Sequence, residues 1–203
     1  MDQAVLDAIE RWPNVPAVFG WLSISRRGQW RLHPGGTASA GGFGESIQNQ
    51  QILSFMDRNY TCDEEGRWFF QNGPQRVFVR LDSAPLIVSL TGQPARLRTH
   101  NQLEVERIDG WLIDHDGNLF LQCEHGPACI NDLDLDLIAS ALATESGQDV
   151  MSWWEDLRDS RAQTMVHFKE HSLFTSRSPV TLRLLDQHES AASAMGFVAN
   201  PSA

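Results

Sequence analysis

Apolar and polar positions along this chain follow two periods, and each marks a different kind of element. From Arg76 to Leu81 the aliphatics Val77, Val79 and Leu81 alternate with Arg76, Phe78 and Arg80. Period two predicts a strand with the aliphatics on one face and two guanidinium groups on the other. The same period, interrupted by turn signals, predicts strands near 17–25, 29–32, 67–71, 76–81, 86–90, 96–100, 103–108, 111–114 and 118–122, with a last one at 180–184. Arg26-Arg27-Gly28, Glu65-Gly66, Asn72-Gly73-Pro74, Asp109-Gly110 and Asp116-Gly117 read as turns, since Gly accepts positive φ and Pro lacks a ladder donor.

Helical spacing occupies the remainder. Val5, Leu6, Ile9 and Trp12 give residues 2–11 one apolar side, with Asp2 as N-cap and Pro13 as the stop. Ile47, Ile52, Phe55 and Met56 do the same from Ser46 to Arg58. Leu133, Leu137, Ile138, Ala141 and Leu142 predict a third helix capped by Asn131, and Val150, Trp153, Trp154 and Leu157 open a helical zone that runs on to Phe168. Gly35 to Gly44, rich in Gly, Ala and Ser, reads as a flexible loop, and the chain from Gln187 reads as a loose tail.

The pattern repeats. Tyr60, Asp63, Glu65, Gly66, Trp68, Phe69, Phe70 and Gln71 match Trp111, Asp114, Asp116, Gly117, Leu119, Phe120, Leu121 and Gln122 at one constant offset. After a two-residue insertion, Gly73-Pro74 and Val77 fall opposite Gly126-Pro127 and Ile130. Upstream, Gly28, Trp30, Leu32 and Gly35 match Gly66, Trp68, Phe70 and Gly73. Three copies at unequal spacing predict duplicated units in a compact fold rather than a solenoid. The expected class is α+β: repeated antiparallel hairpin-plus-helix units, a meandering sheet and a helical C-terminal region. The expected segments are 1–58 (first hairpin-helix unit), 59–145 (larger sheet domain), 146–186 (helical extension) and 187–203 (flexible tail).

Composition narrows the function classes. The 203 residues are 41% hydrophobic and 21% charged, with net charge −10, enough for a core without staples. That acidity argues against nucleic acid and against an anionic membrane surface as partners. The start lacks the marks of a secretory signal and no run of 18 apolar residues occurs. Cys62, Cys123 and Cys129 are odd in number and lack framework spacing, which suits reduced thiols and a cytoplasmic protein.

The strings GWLSISRRGQW, RNYTCDEEGRWFFQNGPQRVFVRL and GFVANPSA resemble an uncharacterised proteobacterial family of unknown function, over most of the chain. A more distant likeness is to another bacterial family of unknown function, similar in its early strand with a Gly turn and Trp, a strand like VFVRLDSAPLIV and one like LRTHN. The likeness implies repeated α+β motifs and a conjectured signalling role, and neither family supplies a catalytic residue.

Several constellations touch on chemistry. His167-Phe168-Lys169-Glu170-His171 fits H-x-x-E-H, which on a helix sets two imidazoles one turn apart beside a carboxylate, as in a metal-dependent hydrolase. Its third ligand would have to be Glu189, and a solvated helix face is the simpler account. Cys123, Glu124, His125 and Cys129 lack structural-zinc spacing. Asp114, Asp116 and Asn118 imitate a calcium loop, but Gly117 comes one place early and His125 stands where Glu belongs. Asn72, Gln75, Arg76 and Arg80, with Arg98 and His100 on a strand expected nearby, form the candidate ligand-binding set, since guanidinium groups give an anion or polar molecule bidentate contacts. The plain alternative is turn capping and ion pairs. The expectation is a non-catalytic module that binds a small molecule or a protein partner, with no cofactor and no catalytic residue. Its rivals are the metal hydrolase and an assembly protein, with a homo-oligomer as the expected form, using Trp153 and Trp154 as an exposed contact.

Overall fold

The computed structural model describes residues 1–92, 95–157, 162–169 and 178–202. It is a mixed α+β fold in two compact units, Met1–Pro85 with the chain from Gly196, and Leu86–Met195. The division falls elsewhere than the expected boundaries after 58 and 145.

The first unit opens with helix α1 (Gln3–Arg11), followed by β1 (Val18–Ile24), β2 (Trp30–Leu32), β3 (Glu45–Ser46), α2 (Gln50–Arg58), β4 (Tyr60–Cys62), β5 (Trp68–Asn72) and β6 (Gln75–Leu81). They form a six-stranded sheet in the order β3-β2-β1-β6-β5-β4, with β1 and β6 parallel. Helix α2 starts at Asn49, whose side-chain oxygen accepts from the Gln51 and Ile52 amides at 2.9 and 3.1 Å, three residues later than the predicted start because Ser46 is held in β3. Asp2 makes no cap bond. Instead it pairs with Arg58 at 3.0 Å, at the far end of α2.

Alternation along β6 sorts the two faces as predicted. Val77 and Val79 pair with Val18 and Leu22 of β1, and Phe70 lies opposite Val77. On that face α2 packs with Phe55 edge-on to Phe70 at 5.6 Å, and Trp30 Nε1 donates to Asp57 at 2.9 Å. The opposite face carries Phe78 stacked on Phe19 at 4.6 Å, with the Arg67 guanidinium over the Phe78 ring at 5.0 Å. The expected loose tail is ordered against this unit: Phe197 is buried, Leu81 N donates to Ala199 O at 2.8 Å and Val198 N to Gly66 O at 3.0 Å.

The second unit comprises β7 (Leu86–Thr91), β8 (Arg96–Thr99), β9 (Ile108–Ile113), β10 (Leu119–Cys123), β11 (Gly126–Ile130), α3 (Leu135–Ala141), β12 (Leu142–Thr144), α4 (Val150–Leu157), β13 (Gln163–Phe168), β14 (Val180–Leu184) and α5 (Ala191–Met195). Its eight-stranded sheet runs β12-β13-β14-β9-β10-β11-β7-β8. Within residues 146–186 the strand expected at 180–184 is present as β14, but the helical zone expected to run to Phe168 gives way to β13. Helix α4 is described to Leu157, and Met165 to Phe168 pair with β12 and β14 because Val166 and Phe168 alternate into the core. The strand expected at 103–108 reduces to one bridge between Arg98 and Glu104. Asp109-Gly110 is not a turn: Gln122 pairs with Gly110 and Cys123 with Ile108, so Asp109 is the extra residue of a β-bulge.

The repeat is real, and longer than the sequence match. Tyr60↔Phe70 and Cys62↔Trp68 recur 51 positions on as Trp111↔Leu121 and Ile113↔Leu119. Phe69↔Phe78 and Asn72↔Gln75 recur as Phe120↔Cys129 and Cys123↔Gly126. No insertion is needed. Gly73-Pro74 forms a two-residue turn whose counterpart is Glu124-His125, whereas Gly126-Pro127 lies inside β11, so the shifted Gly-Pro match was coincidental. Both meanders end on a parallel neighbour, β6 on β1 and β11 on β7, which in turn pairs with β2 or β8.

One kind of turn recurs at five places in the chain. At Ser25, Asp63 and Asp114 the residue's N–H donates to the carbonyl four residues on, its carbonyl accepts from the Gly three residues on, and its side-chain oxygen accepts from the fifth residue's amide. Gly28, Gly66 and Gly117 have φ of 75°, 74° and 80°, a left-handed conformation that costs other residues about 1–2 kcal/mol. Thr99 and Thr144 build the same turn with Gln102 and Gly147 at the left-handed place. The sequence reading missed both, because Thr replaced the expected acidic or Ser residue and Gln replaced one Gly.

Candidate functional site: an apolar cleft on the first sheet

The α2 side of the first sheet is only partly covered. Beside Met56 of α2 lies an open cleft of about 410 Å³ whose walls are Val18, Trp21 and Leu22 of β1, Leu32 of β2, Phe70 of β5 and Val77 of β6. Trp21 and Leu32 remain 43% and 38% exposed, although their neighbours in the sheet are buried. Besides the Trp21 indole, the lining residues with polar side chains are Asn72 and Gln75, brought side by side because the two residues pair across the β5–β6 turn. Gln75 Nε2 donates to Pro16 O at 3.1 Å, which fixes its carboxamide.

The six residues singled out from the sequence are therefore divided. Asn72 and Gln75 line the cleft. Arg76 and Arg80 occupy the opposite face of the same sheet, Arg76 lying 4.8 Å over the Phe69 ring. Arg98 and His100 belong to the second unit. Arg98 pairs with Glu104 at 3.0 Å. His100 Nδ1 accepts from the Ile87 amide at 3.2 Å, and burial of the ring pushes its pKa down to about 4. It is a neutral, structural imidazole at pH 7.

Arg80 is equally occupied. It donates to the carbonyls of Ala38 at 2.8 Å and Gly42 at 3.3 Å and pairs with Asp82 at 2.7 Å, so it staples the 35–44 loop to the sheet. Beside it Ser23 Oγ and His33 Nε2 stand 2.8 Å apart, both buried. Burial, reinforced by the Arg80 and Arg31 charges and opposed by Asp82, holds the His33 imidazole below its usual range. The sequence reading missed this pair. The signal was the hairpin register: Leu22 opposite Leu32 puts Ser23 and His33 on a diagonal.

The cleft walls were missed for a different reason. Trp21, Leu32 and Met56 look like core residues, and only the position of α2 decides which apolar side chains it leaves uncovered. The second unit shows the alternative outcome. There the counterparts of Phe70, Val77 and Asn72 are Leu121, Ala128 and Cys123; Phe70 and Val77 are buried as Leu121 and Ala128 are, but the exposed Asn72 gives way to a buried Cys123. Glu124 in the equivalent turn accepts from the Glu106 and Arg107 amides at 2.6 and 3.2 Å, and His125 Nε2 lies 2.8 Å from Glu104 O. The chain itself crosses that end of the sheet.

The other constellations resolve into structure. His167 sits on strand β13, paired with Ala143, not on the helix that the H-x-x-E-H reading requires; Glu170 and His171 lie outside the described residues. Cys123 Sγ donates to Gly126 O at 3.2 Å. Asp114 Oδ2 accepts from Asn118 Nδ2 at 2.8 Å, so the calcium-like triplet is a turn. Trp153 is buried and Trp154 Nε1 donates to Asp114 O at 2.9 Å, so neither is the exposed contact expected of an assembly surface. A larger polar cavity of about 560 Å³ in the second unit is lined by Gln163, Arg183 and Glu189. Among the described residues its guanidinium is that of Arg183, held by Glu189 at 2.9 Å. Among the described residues no group of three or more His, Cys, Asp or Glu can hold a metal ion, and no helix is long and apolar enough to cross a membrane.

Comparison with known proteins places the chain without naming an activity. No curated protein matches it. Among solved structures it is similar to a DUF1285 family protein from Silicibacter pomeroyi DSS-3, at 17% sequence identity and a TM-score of 0.45, over 71% of this chain and 87% of that one. A family model described as "Protein of unknown function (DUF2946)" matches residues 1–202, and the chain belongs to that family.

Proposed function

We propose that the protein is a non-catalytic binding module whose first unit takes a small, largely apolar molecule in the cleft between α2 and the β1–β2 hairpin. One observation carries the reading. Of two sheets built on the same strand plan, one has its second meander turn crossed by its own chain, and the other keeps beside that turn an open cleft of about 410 Å³ with two carboxamides at its rim. Ligand sites are typically clefts of about 300–1,000 Å³, apolar-walled with a few placed polar groups. A reducing, cytoplasmic setting is part of the proposal, supported by three free cysteines, as is the regulatory or signalling role implied by the resemblance.

The test uses the full chain and the uncharged fluorophore N-phenyl-1-naphthylamine. Saturable binding at one site is expected, weakened at least tenfold by Leu32→Glu, which puts a charge on a wall residue exposed enough to accept it without unfolding. Leu133→Glu, at a 71% exposed position of the second unit, is the control and leaves binding unchanged. Equal binding by wild type and Leu32→Glu, with circular dichroism showing both folded, overturns the proposal.

A further inference from the structure

The chemistry of the cleft rim narrows what it accepts. We infer that the cleft selects uncharged molecules with an apolar body and a carboxamide-like polar end, one that both donates and accepts hydrogen bonds. The inference rests on the binding role proposed above.

Charge decides the first half. Among the described residues none that lines the cleft is ionisable. The guanidinium groups of β6 that could have served an anion are turned away: Arg76 lies over Phe69 and Arg80 is held by two loop carbonyls and Asp82. Period two along β6 enforces this, because Gln75 and Val77 share one face and Arg76 and Arg80 the other. A carboxylate or phosphate seated between Trp21 and Phe70 would lose its hydration without a counter-charge, as would an ammonium group, and uncompensated burial of charge is costly. The net charge of −10 adds a further penalty for anions.

Hydrogen bonding decides the second half. Gln75 commits one N–H of Nε2 to Pro16 O, which leaves Oε1 as an acceptor and the second N–H as a donor. The exposed Asn72 side chain makes no hydrogen bond among the described residues and offers one acceptor and two donors. A ligand group that uses the acceptors as well as the donors of both carboxamides must itself donate and accept, which a primary or secondary amide does, whereas an ester or ether leaves both acceptors unused. In the second unit the positions of Asn72 and Gln75 are Cys123 and Gly126. The carboxamide pair therefore accompanies the open cleft and is not a requirement of the strand plan.

Three probes with one apolar body separate the possibilities: octanamide, octanoate and octylamine, each displacing N-phenyl-1-naphthylamine from the full-length protein at pH 7.5. The amide is expected to displace it at a concentration at least tenfold below either charged probe. Asn72→Leu, at an exposed position, is expected to abolish that preference while the fluorophore still binds. Octanoate or octylamine competing as well as octanamide overturns the inference, as does a preference that survives Asn72→Leu or a failure of all three to displace. Each of those outcomes leaves the cleft intact as a binding site. Fluorophore binding that ignores Leu32→Glu instead removes the binding role itself.

Discussion

The two units build one five-stranded plan twice and finish it differently. In the first, β2-β1-β6-β5-β4 carries a short β3 at one edge and ends at β4. In the second, the equivalent β8-β7-β11-β10-β9 is extended from β9 by β14, β13 and β12, with β14 parallel to β9. Side-chain pairs inside the meanders correspond one for one, so what they share is local: a left-handed turn residue, a side-chain acceptor three places before it and alternating apolar positions. What differs is which element lies on each sheet face, and that difference leaves one cleft open.

The most severe way to break the correspondence is at the matched turn glycines. Gly66 and Gly117 have the same φ within a few degrees, so Ala costs about 1–2 kcal/mol of backbone strain at either. Their surroundings are not the same. A Cβ on Gly66 would run into the backbone carbonyl of Gly196, whereas one on Gly117 would meet the Trp154 ring at 3.4 Å, an ordinary contact. Backbone cannot move aside as a side chain can, and overpacking adds about 1–3 kcal/mol. Gly66→Ala should lose about 2–5 kcal/mol in denaturant titration and Gly117→Ala only the strain. Equal losses would mean that the C-terminal segment does not press on the first turn.

These glycines also show how far the sequence could be read. Asp63-x-x-Gly66 and Asp114-x-x-Gly117 carry their turn chemistry in the residue types, so the hairpins and the alternation of β6 were legible. The Thr99 turn was not, because Gln102 occupies a place where composition signals Gly. The helix expected from Val150 to Phe168 failed over Gln163–Phe168 because Val166 and Phe168 fit either period, and pairing with β12 and β14 decided between them. Asn72 and Gln75 could be picked out, as polar groups beside a turn. That Arg76 and Arg80 serve the other face was implicit in the same alternation, while the cleft between α2 and the β1–β2 hairpin depends on tertiary packing that no single stretch encodes.

Acid should sharpen the contrast between two buried imidazoles. His100, held at about 4 by burial, favours the neutral folded form. Above pH 6.5 it is neutral in both states and its contribution to stability is full. As pH falls from 6.5 to about 4 the unfolded chain takes up the proton first, and stability drops by at most about 3 kcal/mol. His33 shifts in the same direction, so it loses stability on the same side of pH 6.5. The unfolding free energy of His100→Asn, measured from pH 7.5 to 4, should fall less steeply than that of wild type. Parallel profiles would show that His100 does not carry the acid sensitivity.

A smaller effect separates the layers over the two turns. Trp154 covers the Asp114 turn through its ring and through the Nε1 bond to Asp114 O, where the first unit uses backbone. Trp154→Phe keeps an aromatic ring and removes the bond, for an expected loss of about 1 kcal/mol. A loss above roughly twice that in thermal unfolding would assign the ring contact, not the bond, the main part.

The turn at Thr99 offers the finest test, because its sign is in question. Gln102 holds φ at 70° with Thr99 O accepting from its amide at 2.9 Å, and its side chain donates to His100 O at 3.2 Å. Replacing it by Gly relieves about 1–2 kcal/mol of left-handed strain but removes that bond and loosens the unfolded chain, which together offset about 1 kcal/mol. The remainder favours the variant: Gln102→Gly should raise stability by at most about 1 kcal/mol, while Gly147→Gln, its mirror change in the Thr144 turn, should lower it. If Gln102→Gly destabilises, the strain at this position is already relieved by its side-chain bond, and the five turns are alike in geometry but not in what holds them.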